Sequence, residues 1–282
     1  MPRRFTDTAD ARVGLNSLST ATWTLTQDLA LYDCLGVGRA GLFVDKLEAA
    51  GADAAVEQVG AAGVRVDHVF SRGIPLADRS AWPGERTRLL EAVDMAVALG
   101  APILTVTTGP AGPLPWEAAA DACGEALGPV VVAAGRRGIR VALEQTLPIR
   151  PEIGFVHSFA DTLVLARRLG ALAVLEANYA FAERGLTASL AGAGPLLGVV
   201  QISDLVPPST VVPDRAVPGD GVIPLDRLIR QVGAAGYGGP FELELIGPRI
   251  EAEGYEAACR RAVTGLNRLL AAADQGPGRD PL

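Results

Sequence analysis

Short apolar runs alternate along this chain with longer stretches whose apolar residues recur at helical spacing. The runs read as eight strands: Val13–Ser17, Arg39–Val44, Val64–Phe70, Ile103–Thr107, Ile139–Glu144, Leu172–Glu176, Leu197–Ser203 and Phe241–Leu245. Continuous apolar runs bounded by turn residues fit strands covered on both faces, as in a parallel sheet. Between them the spacing predicts helices from Thr24 or Thr26 to Leu35, over Leu47–Ala62, Glu85–Leu99, within Trp116–Arg136, and over Ser158–Leu169. Three more follow over Leu186–Ala193, Leu225–Ala235 and Glu251–Ala272. Gly63, Gly100, Gly138, Gly170 and Gly236 stand just before strands, where a helix ends in a left-handed residue.

Eight strand–helix units in succession predict a single (β/α)8 TIM barrel of the α/β class. An open dinucleotide-binding sheet is disfavoured: no GxGxxG follows the first strand, and Gly36-Val37-Gly38 precedes the second. The expected organisation is an N-terminal arm over 1–11, the barrel over 12–272 and a C-terminal tail over 273–282. Two βα connections are long, Gln145–His157 and Asp204–Pro224, and long connections of this kind carry function.

In the second half of the chain, apolar runs end repeatedly in an oxygen-bearing side chain: Glu144, Glu176, Gln201 and Glu244. They lie 32, 25 and 43 residues apart, about one strand-plus-helix unit each. In a TIM barrel such positions meet at the C-terminal face, where active sites lie. Three carboxylates there repel one another and raise each other's pKa values. A divalent cation relieves that repulsion, with Gln201 as a neutral fourth oxygen. The all-oxygen set favours Mn²⁺ or Mg²⁺ over Zn²⁺. The competing role for each carboxylate is a helix cap or an arginine partner.

Composition narrows the picture. The 282 residues carry a formal net charge of −7, which argues against a phosphate-dominated nucleic-acid partner. Cys34, Cys123 and Cys259 are scattered, as reduced thiols of a cytoplasmic protein would be. No signal-peptide pattern and no uninterrupted apolar stretch of membrane-spanning length is found, so no membrane partner is expected. The expected partners are a small-molecule substrate and, at most, a second copy of the chain as a homodimer. Arg215, in the Gly- and Pro-shaped second loop, is an anchor for a carboxylate, phosphate or hydroxyl. Arg249 is a further substrate-binding candidate. His68 is expected near the end of the third strand, facing the mouth. Trp23 and Phe70 are candidates for an apolar wall, while His157, before the N-cap residue Ser158, reads as structural.

Several segments together resemble the xylose isomerase-like TIM barrels, a superfamily of sugar isomerases, epimerases and keto-polyol dehydratases. They are Ala142-Leu143-Glu144, Gln201-Ile202-Ser203-Asp204, Arg215-Ala216-Val217-Pro218-Gly219-Asp220-Gly221 with Ile223-Pro224-Leu225, and Gly236-Tyr237 leading to Glu242-Leu243-Glu244. The resemblance runs from Thr22 to Leu270. It implies metal ligation by Glu144, Glu176, Gln201 and Glu244, with Glu144 or Glu244 as base. The implied reaction is isomerisation, epimerisation or dehydration of a small keto-sugar, polyol or keto-hydroxy compound through a metal-stabilised enediolate. Gln201 stands where many members have His, as in a branch similar to the 3-dehydroshikimate dehydratases. Glu176-Ala177-Asn178-Tyr179 departs from the family's Asp-x-x-His, so Tyr179 becomes the candidate proton donor in place of that His. Two alternatives remain: a repurposed, non-catalytic barrel that binds a small molecule, and an endonuclease IV-like nuclease. The two histidines of the chain and its acidic balance weigh against the nuclease.

Overall fold

The computed structural model describes residues 9–275, so most of the expected arm over 1–11 and tail over 273–282 lies outside the described residues. Eight parallel strands pair in sequence order and close on themselves, β8 joining β1. The strands are β1 (Val13–Asn16), β2 (Arg39–Phe43), β3 (Arg65–Ser71), β4 (Ile103–Thr107), β5 (Arg140–Glu144), β6 (Leu172–Glu176), β7 (Leu197–Ile202) and β8 (Phe241–Leu243). The helices between and after them are α1 (Leu25–Leu35), α2 (Val44–Ala50), α3 (Ala52–Ala62), α4 (Trp82–Ala98), α5 (Trp116–Arg136) and α6 (Phe159–Leu169). They continue with α7 (Ala177–Ala180), α8 (Leu186–Leu190), α9 (Leu225–Ala234), α10 (Pro248–Glu253) and α11 (Tyr255–Asp274). This is the single (β/α)8 barrel that the alternation predicts.

Local chemistry sets the boundaries. Thr24 caps α1 in a reciprocal pair with Gln27, and Gly36 ends it at φ +65°. Ser158 caps α6 by accepting from the Asp161 N–H. Where one helix is expected over Leu47–Ala62, two form, because Gly51 at φ +83° breaks the run. Gly254 at φ +93° likewise splits the last helix into α10 and α11. By length and composition α5 could cross a membrane. Here its apolar face, with Ala119, Cys123, Leu127 and Val130, is buried in the protein.

Two apolar clusters show which way each strand residue points. Ala142, Leu172, Val174 and Val199 form one, with Ile103 against it. Val141, Leu143, Ala173, Leu175, Val200 and Ile202 belong to the other and larger one, with the helices. Strand side chains alternate, so the first cluster fills the barrel interior. Glu144, Glu176 and Gln201 each follow one of its members by two residues and share that inward face. In β8 and just beyond it, Phe241, Leu243 and Leu245 join the helix-facing cluster, which turns Glu242 and Glu244 inward.

Candidate active site

The C-terminal ends of β5 to β8 bring four predicted residues into one buried group. Glu144, Glu176, Gln201 and Glu244 are all at most 5% exposed. Glu176 and Gln201 are register partners across β6 and β7, and Gln201 is in turn the partner of Glu242.

Arg215 enters this group from the loop between β7 and α9, and it is 1% exposed. Its Nη1 lies 3.0 Å from Glu244 Oε1 and 3.2 Å from Glu176 Oε2, and donates to the Glu244 carbonyl at 3.1 Å. Its Nη2 donates to the Tyr179 hydroxyl at 3.0 Å, and the guanidinium lies 5.1 Å from that ring's centroid. A surface ion pair is thereby excluded for Arg215.

The loop that delivers Arg215 is built around Asp204. Asp204 Oδ2 accepts from Gly219 and Gly221 N–H, and Oδ1 from Leu205 and Ile223 N–H, at 2.8 to 3.0 Å. A Cβ on Gly221 would stand 2.2 Å from the Leu205 carbonyl oxygen, so the close approach requires glycine. The backbone of Asp204 also bridges to Ala216, and Arg215 N–H donates to the Ile246 carbonyl.

Below this group lies a second polar set that the pattern of strand ends did not single out. Glu242 Oε1 is 2.8 Å from His68 Nε2, while Oε2 accepts from Asn16 Nδ2 at 3.0 Å and Gln201 Nε2 at 3.3 Å. A Cβ on Gly41 would overlap both Glu242 Oε1 and His68 Nε2, so Gly41 admits this pair. The signal was present in the sequence: Glu242 and Glu244 are two apart in a strand and therefore share a face. His68 does not face the mouth. It is the register partner of Ile103, the first residue of β4, and a bulge between Ala40 and Gly41 shifts β3 against β2.

The other candidates lie outside the cluster. Arg249 is exposed in α10, with Nη2 3.8 Å from Asp214. Trp23 packs edge-on against Tyr255, with ring centroids 5.6 Å apart. Phe70 stacks with Phe43 at 5.5 Å, at the ends of β3 and β2. His157 Nδ1 pairs with the Thr146 carbonyl, in keeping with a structural role.

Burial dominates the electrostatics. It pushes Glu144 well above the usual carboxylate range, with the charge of Glu244 adding and Arg215 opposing. Burial also raises Glu176, and pushes Glu244 up to about 7, in both cases against Arg215. Tyr179 is pushed up to about 12 by burial and keeps its proton at neutral pH. For Glu242 burial is outweighed by His68, so its pKa falls, and that of His68 rises for the same reason.

Fit to a metal can be judged from the oxygens themselves. Glu144 Oε2, Gln201 Oε1, Glu244 Oε2 and Glu176 Oε2 are buried without a hydrogen-bond partner, the last having its ionic contact to Arg215. Buried oxygens of this kind are costly unless something meets them. One such oxygen on each of four adjacent strand-end residues is a hard-donor set suited to Mn²⁺ or Mg²⁺. The donors fit such an ion chemically. Among the described residues, however, no three Asp, Glu, His or Cys side chains stand converged as a finished cage. Arg215 Nη1 stands between Glu176 and Glu244.

The sequence pattern of the family described as xylose isomerase-like TIM barrel matches residues 30–263. No curated protein matches the sequence. Among solved structures, a protein from Sinorhizobium meliloti 1021 superposes with a TM-score of 0.83 at 22% identity, covering 92% of this chain and 98% of that one. IolI, described with a bound zinc atom, gives 0.79 at 17% identity over 92% of this chain and 98% of its own. D-psicose 3-epimerase with D-tagatose, from Clostridium cellulolyticum H10, gives 0.74 at 14% identity over 93% and 99%. At these identities the likeness establishes the fold.

Proposed function

The chain belongs to the xylose isomerase-like TIM-barrel family, and from that premise we propose that it is a divalent-metal-dependent isomerase, epimerase or dehydratase. Its substrate is a small keto-sugar, polyol or other keto-hydroxy compound. The observation that carries this reading is the set of four buried oxygens without a hydrogen bond on Glu144, Glu176, Gln201 and Glu244, of which only that of Glu176 is met, by the Arg215 guanidinium. These residues would hold the ion, with Mn²⁺ or Mg²⁺ preferred for the all-oxygen set. The zinc atom of IolI and the D-tagatose of the epimerase support a cation and a small sugar as ligands of this chain.

When bound, a divalent ion supplies a Lewis acid that polarises a carbonyl. The chain's own groups supply the rest. Glu144 or Glu244 takes the proton from the carbon beside the substrate carbonyl, each being buried where a carboxylate is a stronger base than in water. Tyr179 retains its proton and accepts a bond from Arg215, so its own O–H is free to be donated. Arg215 orients substrate oxygens through its planar fork. Return of the proton to the neighbouring carbon isomerises, return to the opposite face epimerises, and loss of a β-hydroxyl dehydrates.

The test is exchange of substrate C–H for deuterium, followed by NMR across a panel of ketoses and keto-polyols with added Mn²⁺. Glu144→Gln and Glu244→Gln are expected to slow exchange by about 100-fold or more. Full exchange in both variants contradicts the assignment. One observation favours a second reading: Arg215 already places a positive charge between Glu176 and Glu244. A barrel that binds its small molecule around that guanidinium would need no metal, and would show neither exchange nor saturable Mn²⁺ binding.

A further inference from the structure

At the end of the barrel opposite Glu144 and Glu244, a cavity of about 470 Å³ opens among the strand starts. Arg39, Arg65 and Arg140 are the first residues of β2, β3 and β5, and all three line it. Asp67 opposes them. It receives Arg39 Nε and Nη2 at 2.9 and 2.6 Å, and Arg65 Nε lies 3.6 Å from it. Glu242 also reaches the cavity wall, but its charge is met by His68. Among the described residues, Arg140 has no side-chain hydrogen bond or ion pair. Three guanidinium groups against the one carboxylate of Asp67, with Glu242 already met by His68, leave this cavity positive, in a chain whose net charge is −7.

A second observation comes from the wall. His68 is 1% exposed, its Nε2 is spent on Glu242, and its Nδ1 is buried without a partner. The other side of the cavity is apolar, formed by Ile103, Leu172 and Val199 at the lower end of the barrel interior. The volume lies within the usual range for small-molecule sites.

We propose that this cavity is a second ligand site, distinct from the mouth, and that it takes a small phosphomonoester. The phosphate lies on the exposed forks of Arg65 and Arg140, where bidentate, charge-assisted bonds form. The carbon portion lies on Ile103 and Leu172. A clustered positive cavity in an acidic protein also concentrates such an anion locally.

Calorimetric titration of the full chain with glycerol 3-phosphate, and separately with inorganic phosphate, tests this. One saturable site for the ester is expected, weakened at least tenfold in Arg140→Ser and in Arg65→Ser, with inorganic phosphate binding more weakly. Both arginines are exposed at strand starts, so the variants should melt as the wild type does. No saturable binding, or undiminished binding in both variants, overturns the proposal. Equal affinity for inorganic phosphate overturns its organic half. Glu144→Gln, at the other end of the barrel, should leave ester binding unchanged; its loss there would move the ligand to the mouth and overturn the proposal independently of the catalytic reading.

Discussion

Arg215 sets the state of the mouth at the scale of single residues. Its guanidinium is buried against Glu176 and Glu244, and removing one partner of a buried ion pair costs about 3–5 kcal/mol because the other charge is left uncompensated. Arg215→Met is therefore expected to lose stability of that order in metal-free buffer, measured by chemical denaturation. The same variant should bind Mn²⁺ at least tenfold more tightly, since the gap between the two glutamates is then open. Unchanged stability and unchanged affinity would both contradict this role. The four oxygen-bearing strand ends were legible in the sequence because period-two alternation and strand termination fix where Glu144, Glu176, Gln201 and Glu244 point. Arg215 was legible as a residue of this site, but not as the partner of Glu176 and Glu244. Its position depends on a loop whose path no local period encodes. His68 was misplaced because a bulge between Ala40 and Gly41 moves the register of β3, and a bulge leaves no apolar signature.

Among elements, the loop from Asp204 to Pro224 carries the most consequence. One carboxylate, 1% exposed, accepts four backbone N–H groups and so fixes the segment that presents Arg215. Asp204→Ala strands those donors, and a loss on the order of 3 kcal/mol is expected from charge-assisted bonds of this kind. Hydrogen exchange should quicken across 204–224 while β1 to β5 keep their protection. Equal protection of the loop in the variant would remove Asp204 from this role. The strands were readable here because they are short, apolar and punctuated, as with Gly170 before β6. Helix breaks were less so: Gly51 and Gly254 each interrupt a continuous amphipathic pattern, and their positive φ values depend on the turn and not on periodicity.

For the whole molecule, the buried charges give stability a pH dependence of definite sign. A carboxyl whose folded pKa lies above its unfolded value holds its proton more tightly when folded, so stability falls as pH rises between the two. Glu244 spans 4.5 to about 7 in this sense, and Glu144 and Glu176 move in the same direction. His68, raised by Glu242, contributes stability that is present below 6.5 and lost above its folded value. Glu242 acts oppositely, but only below 4.5, where its depressed pKa lies. Metal-free protein should therefore melt at a lower temperature at pH 8 than at pH 6, and excess Mn²⁺ should remove most of that difference by binding the folded state. A melting temperature that rises over this interval would contradict the burial of ionisable carboxyls at the mouth. The central claim, that Glu144, Glu176, Gln201 and Glu244 hold one divalent ion, is tested most directly by titrating the metal-stripped chain with Mn²⁺ in a calorimeter. The account predicts one saturable ion per chain, weakened at least tenfold in Glu144→Gln and in Glu244→Gln. Absence of saturable binding, or equal binding in wild type and both variants, would contradict it.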